Sequence, residues 1–483
     1  MLLSDLLAGV SVTELAADPQ TEITAVCCDS RKAGENSLFV AVRGYVTDGH
    51  KFLPAVAAQG CAVCVCEEKP TVAIPYVLVP DSRPAMALIG ANFYHHPADR
   101  MTMIGVTGTN GKTTSTILLK HVLERCLGAK VGLIGTNRNL IGEEELPTER
   151  TTPESLELQA LLHEMAEKGC THVVMEVSSH SLYLSRVAGI TYEVGVFTNL
   201  TRDHLDFHKT MENYAAAKAL LFSAQARRAV INADDAWGPY MAERAAGPVL
   251  TYGIENPADL RAASLREAAD HVSYTAEYAG ERRPVTLNIP GRFSVYNSLD
   301  VIGCGLALGL PADKIIGALA DAEGVKGRVE VVPTDGDYTV IIDYAHTPDA
   351  LENVLNTMRP LCRGRLVALF GCGGDRDRTK RPMMAEIAGR LADFVIVTSD
   401  NPRTEEPQAI INDILPGLAG SKTPYVSLCD RAEAIAYALD TAQAGDIIVL
   451  AGKGHETYQE INHVKHHMDE REIVAGHLAA GRV

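Results

Sequence analysis

The chain has 483 residues, a mass of 51.9 kDa and a formal net charge of −17. This length exceeds what one hydrophobic core usually serves, so we expect several domains. Apolar residues at 46% and charged residues at 22% are typical of soluble globular proteins and exclude disordered, collagen-like and coiled-coil chains. The acidic balance also argues against a nucleic-acid partner, because neutralising phosphates requires a basic surface.

Targeting signals and disulfide patterns are not evident in the sequence. The start of the chain lacks a basic segment and carries Asp5 within its short apolar run, and no stretch resembles a membrane span, so we expect a cytoplasmic protein. Eleven cysteines, an odd count, are consistent with reduced thiols. Cys61, Cys64 and Cys66 are predicted to lie in a buried strand rather than to bind a metal.

Strand and helix patterns predict an α/β protein of three domains. Residues 1–92 read as a small α/β domain, and residues 93–328 as a doubly wound parallel sheet that carries a nucleotide site. Residues 329–483 repeat the alternation of strands and helices and are expected to form a Rossmann-like α/β domain. Nothing in the sequence suggests more than a monomer.

Amphipathic patterns predict the positions of the helices in the first two domains. In the first domain we expect helices near 50–59 and 83–95. In the second we expect them at 112–127, 153–168 and 211–224, each between two apolar strands.

The strongest local signal is a strand, a glycine-rich loop and a helix in MTMIGVTGTNGKTTSTILLKHVL. Gly105, Gly108 and Gly111 are expected to turn backbone N–H groups toward phosphate, with Lys112 reaching the β and γ oxygens and the Thr113 hydroxyl available to Mg²⁺. The spacing departs from the usual phosphate loop, because Val106 occupies the usual first glycine position. The residues expected to contact nucleotide are Gly108, Thr109, Asn110, Gly111, Lys112, Thr113 and Thr114.

Two polar residues follow later strands of the same predicted sheet. Glu176 ends the strand in HVVMEVSSH, and His204 follows the strand in VFTNLTRDHLDFH. Ligands collect at the carboxyl edge of parallel strands, so we expect both residues to bind magnesium, although either alone could be structural.

Lys218 lies in the alanine-rich helix ENYAAAKALLF. One interpretation is a lysine whose stem is buried and whose amine reaches solvent. The other is a buried neutral amine that adds CO₂ and becomes a carbamate beside Mg²⁺.

Eight motifs occur in the order GVTGTNGKTT, EVSSH, TNLTRDHLD, YAAAK, YNSL, KGRVE, DYAHTP and GCGGDRD. Together they resemble the Mur ligases, the ATP-dependent amide-forming enzymes of peptidoglycan assembly, over about residues 26–472. The segments DSR…LFVAVRG, TTPES, DNPRTEEP and GKGHETYQ most resemble the branch that makes the UDP-muramyl tripeptide.

The resemblance implies a reaction and a set of catalytic groups. ATP would phosphorylate the D-glutamate carboxylate of UDP-MurNAc-L-Ala-D-Glu, and the amine of meso-diaminopimelate would attack the acyl phosphate. Catalysis would involve Lys112, Glu176, His204 and carbamylated Lys218, with Mg²⁺ held by Thr113, Glu176, His204 and the carbamate.

The resemblance also assigns binding residues. Asn297 would contact adenine, Asp343 the ribose and Arg328 a phosphate. The uridine site would be Ser30, Tyr45, Val46 and Thr47, and the muramyl dipeptide would meet Thr151, Thr152, Ser178 and Arg186. Leu184 stands where a close relative would carry Gln, which puts one polar contact in doubt.

The expected amino-acid pocket combines three C-terminal motifs. Arginine forks bind carboxylates through two hydrogen bonds, which suits Arg376 and Arg403, while Asp400 and Glu456 can hold an ammonium group. The full set is Arg376, Asp400, Asn401, Pro402, Arg403, Gly452 and Glu456.

Other functions remain open at this stage. One alternative is a relative that adds L-lysine, and another is a folylpolyglutamate-type or cyanophycin-type ligase, although the DSR…LFVA domain and DNPR argue against these last two. A nucleotide switch would need a guanine-reading NKxD element, which we do not find.

Overall fold

The structure is a computed structural model that describes residues 1–44, 47–148, 150–268, 270–322 and 324–480, with only the backbone of residue 206. It divides into two compact units. The first comprises Met1–Arg261 with Leu299–Ala318, and the second comprises Ala262–Ser298 with Leu319–Val483. Within the described ranges, no helix has the length and apolar character needed to cross a bilayer.

A five-stranded sheet opens the first unit, in the order β1-β5-β4-β3-β2, parallel except for β1. Its elements are α1 (Leu3–Leu6), β1 (Glu14–Ala16), β2 (Ala25–Cys27), β3 (Ser37–Val40), α2 (Leu53–Ala58), β4 (Val63–Cys66), β5 (Tyr76–Leu78) and α3 (Ser82–Phe93). In β4, Val63 and Val65 pack on one core while Cys64 and Cys66 pack on the other. The predicted buried strand is therefore confirmed for Cys64 and Cys66, whereas Cys61 is buried but lies before the strand begins.

The central sheet of the first unit contains the phosphate loop. Its elements are β6 (Thr102–Thr107), α4 (Lys112–Leu127), β7 (Val131–Ile134), β8 (Asn139–Ile141), β9 (Glu144–Leu146), α5 (Ser155–Glu167), β10 (His172–Glu176), α6 (Ser179–Tyr183), β11 (Val194–Phe197), α7 (Leu205–His208), α8 (Met211–Leu220), β12 (Ala229–Asn232), α9 (Gly238–Arg244) and β13 (Val249–Gly253). The strand order is β13-β12-β11-β6-β10-β7-β8-β9, with β8 and β9 antiparallel at the edge. Since β6 lies between β10 and β11, their carboxyl ends meet at one edge, as the sequence predicted.

Three strands and two helices follow β13 in the chain. They are β14 (Leu260–Glu267), β15 (Val272–Tyr278), β16 (Glu281–Leu287), α10 (Arg292–Ala307) and α11 (Ala312–Ala320). Strands β15 and β16 pair antiparallel over their whole length.

The second unit is built on a six-stranded sheet in the order β17-β18-β22-β19-β20-β21, parallel except for β17. Its elements are β17 (Glu330–Val332), β18 (Thr339–Asp343), α12 (Pro348–Met358), β19 (Leu366–Phe370), α13 (Lys380–Leu391), β20 (Phe394–Val397), α14 (Pro407–Ile414), β21 (Tyr425–Ser427), α15 (Arg431–Asp440), β22 (Ile447–Ala451), the hairpin β23 (Tyr458–Ile461) and β24 (Val464–His467), and α16 (Glu470–Ala480). Two apolar cores cover its opposite faces. The α/β class with a parallel central sheet is confirmed, while the boundaries at residues 92 and 328 stay predictions.

Candidate functional site

The phosphate loop connects β6 to α4 and is fixed by the segment that follows β11. The backbone N–H of Thr109 donates to the carbonyl of Asn199 at 2.8 Å, and that of Asn110 donates to Oδ1 of Asn199 at 2.9 Å. Gly111 precedes α4 with a φ of 88°, in the left-handed region that favours glycine. Helix α4 begins at Lys112, so its free N–H groups open onto this loop.

Close packing requires glycine at position 108. A Cβ there would lie 1.9 Å from Oγ1 of Thr198, a hydroxyl that donates to the Asn110 carbonyl at 2.6 Å. Gly105 has a different role from the one expected, because it lies inside β6, where a Cβ would press on the Tyr192 ring at 2.9 Å. The expectation that Gly105 belongs to the phosphate-binding turn was therefore wrong.

Lys112 lies over the loop that it was expected to serve. Its Nζ donates to the carbonyls of Gly108 at 3.1 Å and Thr109 at 2.9 Å. The ammonium group is therefore held beside the backbone that is expected to surround a phosphate chain.

Glu176 ends β10 as predicted, and its carboxylate is almost fully buried. Thr113 donates to Oε1 at 2.9 Å, the backbone of Thr136 donates to the same oxygen at 2.9 Å, and the Thr136 hydroxyl donates to Oε2 at 2.9 Å. A carboxylate and a hydroxyl within hydrogen-bond distance supply the oxygen ligands that Mg²⁺ prefers.

His204 precedes α7 with a φ of 52°, and its half-exposed ring lies beside Asp203, with Nε2 3.4 Å from Oδ2. The ring also meets His180 edge to face, with centroids 5.0 Å apart. Within the part of the chain that the structure describes, the hydrogen bonds given for the Glu176 carboxylate come from Thr113 and Thr136.

Lys218 is 1% exposed, which excludes an amine that reaches solvent. Its Nζ donates to the Gly108 carbonyl at 2.8 Å and lies 4.8 Å from the ring centroid of Tyr214. Burial, and secondarily the charge of Lys112, hold the pKa of Lys218 well below its usual value. A neutral amine at this position has the nucleophilic lone pair that carbamate formation requires.

The residues expected at the muramyl dipeptide lie around the end of β10. The hydroxyl of Thr152 donates to the Glu176 carbonyl at 2.8 Å, and the hydroxyl of Thr151 accepts a hydrogen bond from that of Thr136 at 3.0 Å. Ser178 caps α6 by accepting from the backbone of Ser181 at 3.0 Å. Arg186 pairs with Glu154 at 2.6 Å, so its guanidinium is directed toward the TTPES segment.

Two further expectations concern the dipeptide and uridine sites. Leu184 is buried directly after α6, and its apolar side chain offers no polar contact to the dipeptide. Ser30 begins a short 3₁₀ helix capped by Asp29, and exposed Thr47 accepts a hydrogen bond from the backbone of Gly44 at 3.0 Å. Tyr45 and Val46 lie outside the described residues.

The expected adenosine contacts lie in the second unit. Asn297 is buried within α10, and Asp343 ends β18, where its Oδ2 accepts from the backbone of Val329 at 2.8 Å. Arg328 lies 5.3 Å from the centroid of the Tyr344 ring, with its Nε buried and unpartnered among the described residues. Burial raises the pKa of Asp343, and Arg328 opposes that shift.

The DNPR loop follows β20 and is organised by the hairpin β23–β24. Arg403 has a φ of 51°. Its backbone N–H donates to the Glu460 carbonyl at 3.0 Å and its carbonyl accepts from the N–H of Asn462 at 2.8 Å, which forms a short parallel bridge. Its side chain donates from Nη1 to the Gly374 carbonyl at 2.8 Å and lies 3.3 Å from Glu460 Oε2. Left-handed backbone is unfavourable for arginine, so the surrounding bonds hold it in place.

The remaining pocket residues lie around this loop. Gly452 lies against Asp400, because a Cβ at position 452 would be 2.4 Å from Oδ2 of Asp400. Asn401 donates from Nδ2 to Oε2 of Glu456 at 2.8 Å. Pro402 is buried, and a Cβ on Gly374 would lie only 1.9 Å from its carbonyl oxygen, so position 374 has no room for a side chain. Arg376 is exposed on the GCGGDRD loop and bonds the carbonyl of Asp375.

Several supporting residues were missed by sequence reasoning. Thr136 orients Glu176, and fully buried Lys453 bonds Asn401 and Glu456. Arg431 donates to the carbonyls of Ser399 and Ala451, which precede Asp400 and Gly452. Of these, only Lys453 lay within a motif that the sequence had singled out, GKGHETYQ.

A phosphate loop at the carboxyl edge of a parallel sheet defines a nucleotide-dependent enzyme. Three family models match the chain: the Mur ligase family, catalytic domain at residues 22–97, the Mur ligase middle domain at 106–305, and the Mur ligase, glutamate ligase domain at 327–454.

Two relatives and one solved structure extend the comparison. A UDP-N-acetylmuramoyl-L-alanyl-D-glutamate--2,6-diaminopimelate ligase from Clostridium botulinum is 47% identical over 94% of each chain. The ligase of that name from Caldanaerobacter subterraneus is 47% identical over 99% of each chain. A solved structure of a ligase of that name has a TM-score of 0.76 at 34% identity, covering 100% of this chain and 99% of that one. The chain therefore belongs to the Mur ligase family, and it is an ATP-dependent amide-forming ligase.

Proposed function

We propose that the protein adds meso-diaminopimelate to the D-glutamate of UDP-MurNAc-L-Ala-D-Glu through an acyl phosphate, as a cytoplasmic monomer. The observation that carries the choice of amino acid is the DNPR loop, where Asn401 donates to Glu456 and Arg403 donates to the Gly374 carbonyl. Meso-diaminopimelate differs from lysine by a second carboxylate at its far end, and a guanidinium with an amide donor suits that group.

Nucleotide binding relies on the phosphate loop. The N–H groups of Gly108, Thr109, Asn110 and Gly111 and the start of α4 at Thr113 and Thr114 receive the phosphates. Lys112 exchanges its bonds to loop carbonyls for phosphate oxygens, which stabilises the charge that develops during phosphoryl transfer. Asn297, Asp343 and Arg328 bind the adenosine and a phosphate.

The residues around Glu176 fit a magnesium ion. Thr113 and Glu176 would supply adjoining oxygens, while His204 and carbamylated Lys218 would be further magnesium ligands, the carbamate being an extra anion for a second Mg²⁺. When bound, Mg²⁺ neutralises phosphate charge. Thr136 fixes the orientation of the Glu176 carboxylate through two bonds.

Lys218 is the proposed carbamate. Its amine nitrogen bonds to the carbon of CO₂, and a proton leaves the nitrogen, so a neutral amine becomes an anion. The buried amine beside Gly108 favours the uncharged reactant.

The muramyl substrate is held by residues of the first unit. Ser30, Tyr45, Val46 and Thr47 bind the uridine, and Thr151, Thr152, Ser178 and Arg186 bind the dipeptide. Arg186, being cationic and largely buried, suits a carboxylate of the substrate.

The amino-acid substrate is held by Arg376, Asp400, Asn401, Pro402, Arg403, Gly452 and Glu456. Arginines bind its carboxylates, and Asp400 and Glu456 bind its ammonium group. The attacking amine displaces phosphate from the acyl phosphate and leaves an amide.

An amino-acid panel tests this proposal. Purified enzyme with ATP, magnesium and UDP-MurNAc-L-Ala-D-Glu is given meso-diaminopimelate, L-lysine, L-ornithine or D-glutamate, and phosphate release and product mass are measured. We expect product with meso-diaminopimelate at a kcat/KM at least roughly 100-fold above that with L-lysine, because one unmatched buried charge discriminates strongly. Equal use of L-lysine contradicts the specificity, and hydrolysis without either substrate indicates a nucleotide switch.

A further inference from the structure

Lys453 lies in the second unit between two glycines that follow β22, and its side chain is completely buried. Its Nζ donates to Oδ1 of Asn401 at 2.8 Å and to Oε2 of Glu456 at 2.7 Å, and it lies 5.1 Å from the centroid of the Tyr458 ring. A fully buried lysine is rare without such partners, because desolvating its charge is costly.

The bond to Asn401 decides which way that amide faces. Oδ1 accepts from Lys453 and from the backbone N–H of Glu460 at 2.9 Å, so both donors require an oxygen at this position. The Nδ2 group must then face the other way, where one N–H donates to Glu456. Its second N–H has no acceptor among the described residues, and it is available to a carboxylate of the substrate.

The bond to Glu456 has a similar consequence. Oε2 accepts from both Lys453 and Asn401, whereas Oε1 has no donor among the described residues. Lys453 offsets the charge of this largely buried carboxylate and leaves one oxygen for an ammonium group. One lysine thus sets both a donor for a carboxylate and an acceptor for an ammonium group.

We propose that Lys453 is a positioning residue for the amino-acid substrate, acting by fixing the amide of Asn401 and one oxygen of Glu456. The inference rests on the proposed function, since it assumes that these two residues bind the far end of a diamino dicarboxylate. Lys453 itself is shielded by its partners and does not contact the substrate.

The test is a set of KM measurements on intact enzyme. Lys453→Met keeps most of the length of the side chain and removes the charge and the donors. We expect KM for meso-diaminopimelate to rise about 10-fold to 100-fold, the range for hydrogen bonds to charged groups, while KM for ATP and for UDP-MurNAc-L-Ala-D-Glu changes less than about twofold. A rise in KM for meso-diaminopimelate below about threefold in a folded variant overturns the inference.

Two further variants separate positioning from simple charge compensation. Lys453→Gln keeps an N–H donor for Asn401 without the charge, so its KM should lie between the wild-type and methionine values; equal values for glutamine and methionine contradict orientation of the amide. In an Asn401→Ala background, Lys453→Met should raise KM for meso-diaminopimelate by a smaller factor than in the wild-type background, since one of its two targets is gone. An undiminished effect there also overturns the inference.

A matched control is available on the hairpin. The Nζ of exposed Lys465 also lies over the Tyr458 ring, 4.1 Å from its centroid, so Lys465→Met removes an equivalent cation without touching Asn401 or Glu456. Its KM for meso-diaminopimelate should match that of the wild type. If wild-type enzyme shows no product with meso-diaminopimelate, the proposed function itself is wrong, whatever the variants do.

Discussion

The amine of Lys218 and the ammonium of Lys112 both donate to the carbonyl of Gly108, at 2.8 and 3.1 Å. Two lysines from different helices therefore meet at one backbone oxygen of the phosphate loop. Burial above all, and then repulsion by the charge of Lys112, lower the pKa of Lys218, the more deeply buried of the two. The proposed phosphate-binding cation and the proposed site of carbamylation thus lie side by side.

Lys218→Ala should leave the enzyme nearly inactive, and short carboxylic acids such as formate or acetate should partly restore activity. The reason is that the variant lacks the proposed carbamate anion, which a small carboxylate can replace. Activity is measured as phosphate release dependent on both substrates, with chloride at equal ionic strength as control. Lys218 has only a structural role if short carboxylic acids fail to restore activity to the variant and electron density of the wild-type protein shows an unmodified amine.

Lys218→Met should also raise the melting temperature of CO₂-free protein by at least about 2 °C near neutral pH. Because the pKa of Lys218 is lowered in the folded state, the unfolded chain binds a proton more tightly, and this favours unfolding at pH values below the usual 10.5. The stability gained by the variant should therefore grow as the pH falls from 10.5 and become constant below the folded pKa. Differential scanning calorimetry across pH measures it; a gain that is independent of pH contradicts the buried neutral amine.

Lys112→Ala should reduce kcat by far more than tenfold while the protein remains folded, because Lys112 contributes charge to phosphoryl transfer rather than to the core. Lys120→Ala is the control, since it removes a lysine from the same helix that pairs with Glu124 and Glu143. If Lys112→Ala keeps more than about a tenth of the wild-type kcat, a loss of about 1.4 kcal/mol, its assigned role is wrong.

Asp300→Asn should stabilise the protein by roughly 1 kcal/mol or more at pH 7. Asp300 is completely buried in α10, accepts from Ser115 at 2.6 Å, and has no partner for Oδ1 among the described residues. Burial raises the pKa of this carboxyl well above 3.8, so the folded state holds the proton more tightly. The stability from this proton is complete below pH 3.8 and is lost as the pH rises toward the folded pKa.

The measurement for Asp300 is urea unfolding between pH 4 and 8, followed by the fluorescence of Trp237, the only tryptophan in the chain. The advantage of Asp300→Asn over the wild type should increase with pH across this range. Exposed Asp349→Asn controls for the loss of one carboxylate at the surface. An advantage that stays constant from pH 4 to 8 would contradict a buried, protonated Asp300.

Local patterns predicted the helices and strand ends well because each depends on residues close in sequence. Helix α4 spans Lys112–Leu127 as predicted, and Glu176 ends its strand. The sequence left open whether the amine of Lys218 is buried or reaches solvent, and only the structure shows that it is buried.

Partners distant in sequence could not be predicted. Lys453 lies 52 residues from Asn401 and Thr136 lies 40 residues from Glu176, and nothing in a single sequence pairs them. Gly105 was assigned to the loop by analogy, whereas its small size is required by Tyr192, which lies far along the chain. The resemblance to a family supplied the binding residues, and the structure supplied the groups that hold those residues in place.

Arg403 is the residue on which the choice of amino acid depends most. Arg403→Ala should raise KM for meso-diaminopimelate by about two orders of magnitude or more, because the second carboxylate of that substrate would be buried without a cation. KM for ATP should change little, since the phosphate loop lies elsewhere in the chain. Preference for meso-diaminopimelate over L-lysine should fall in parallel.

Arg403→Lys separates charge from geometry in this pocket. Lysine keeps the positive charge but lacks the planar fork of donors with which a guanidinium can bind both oxygens of one carboxylate while Nη1 donates to the Gly374 carbonyl. Its KM should therefore lie between the wild-type and alanine values. Arg390→Ala, which removes an exposed arginine paired with Glu352 at 2.6 Å, is the control and should behave as wild type. If Arg403→Ala raises KM for L-lysine as much as for meso-diaminopimelate, Arg403 holds the shared α-carboxylate or the loop itself, and the far carboxylate must be recognised by another group.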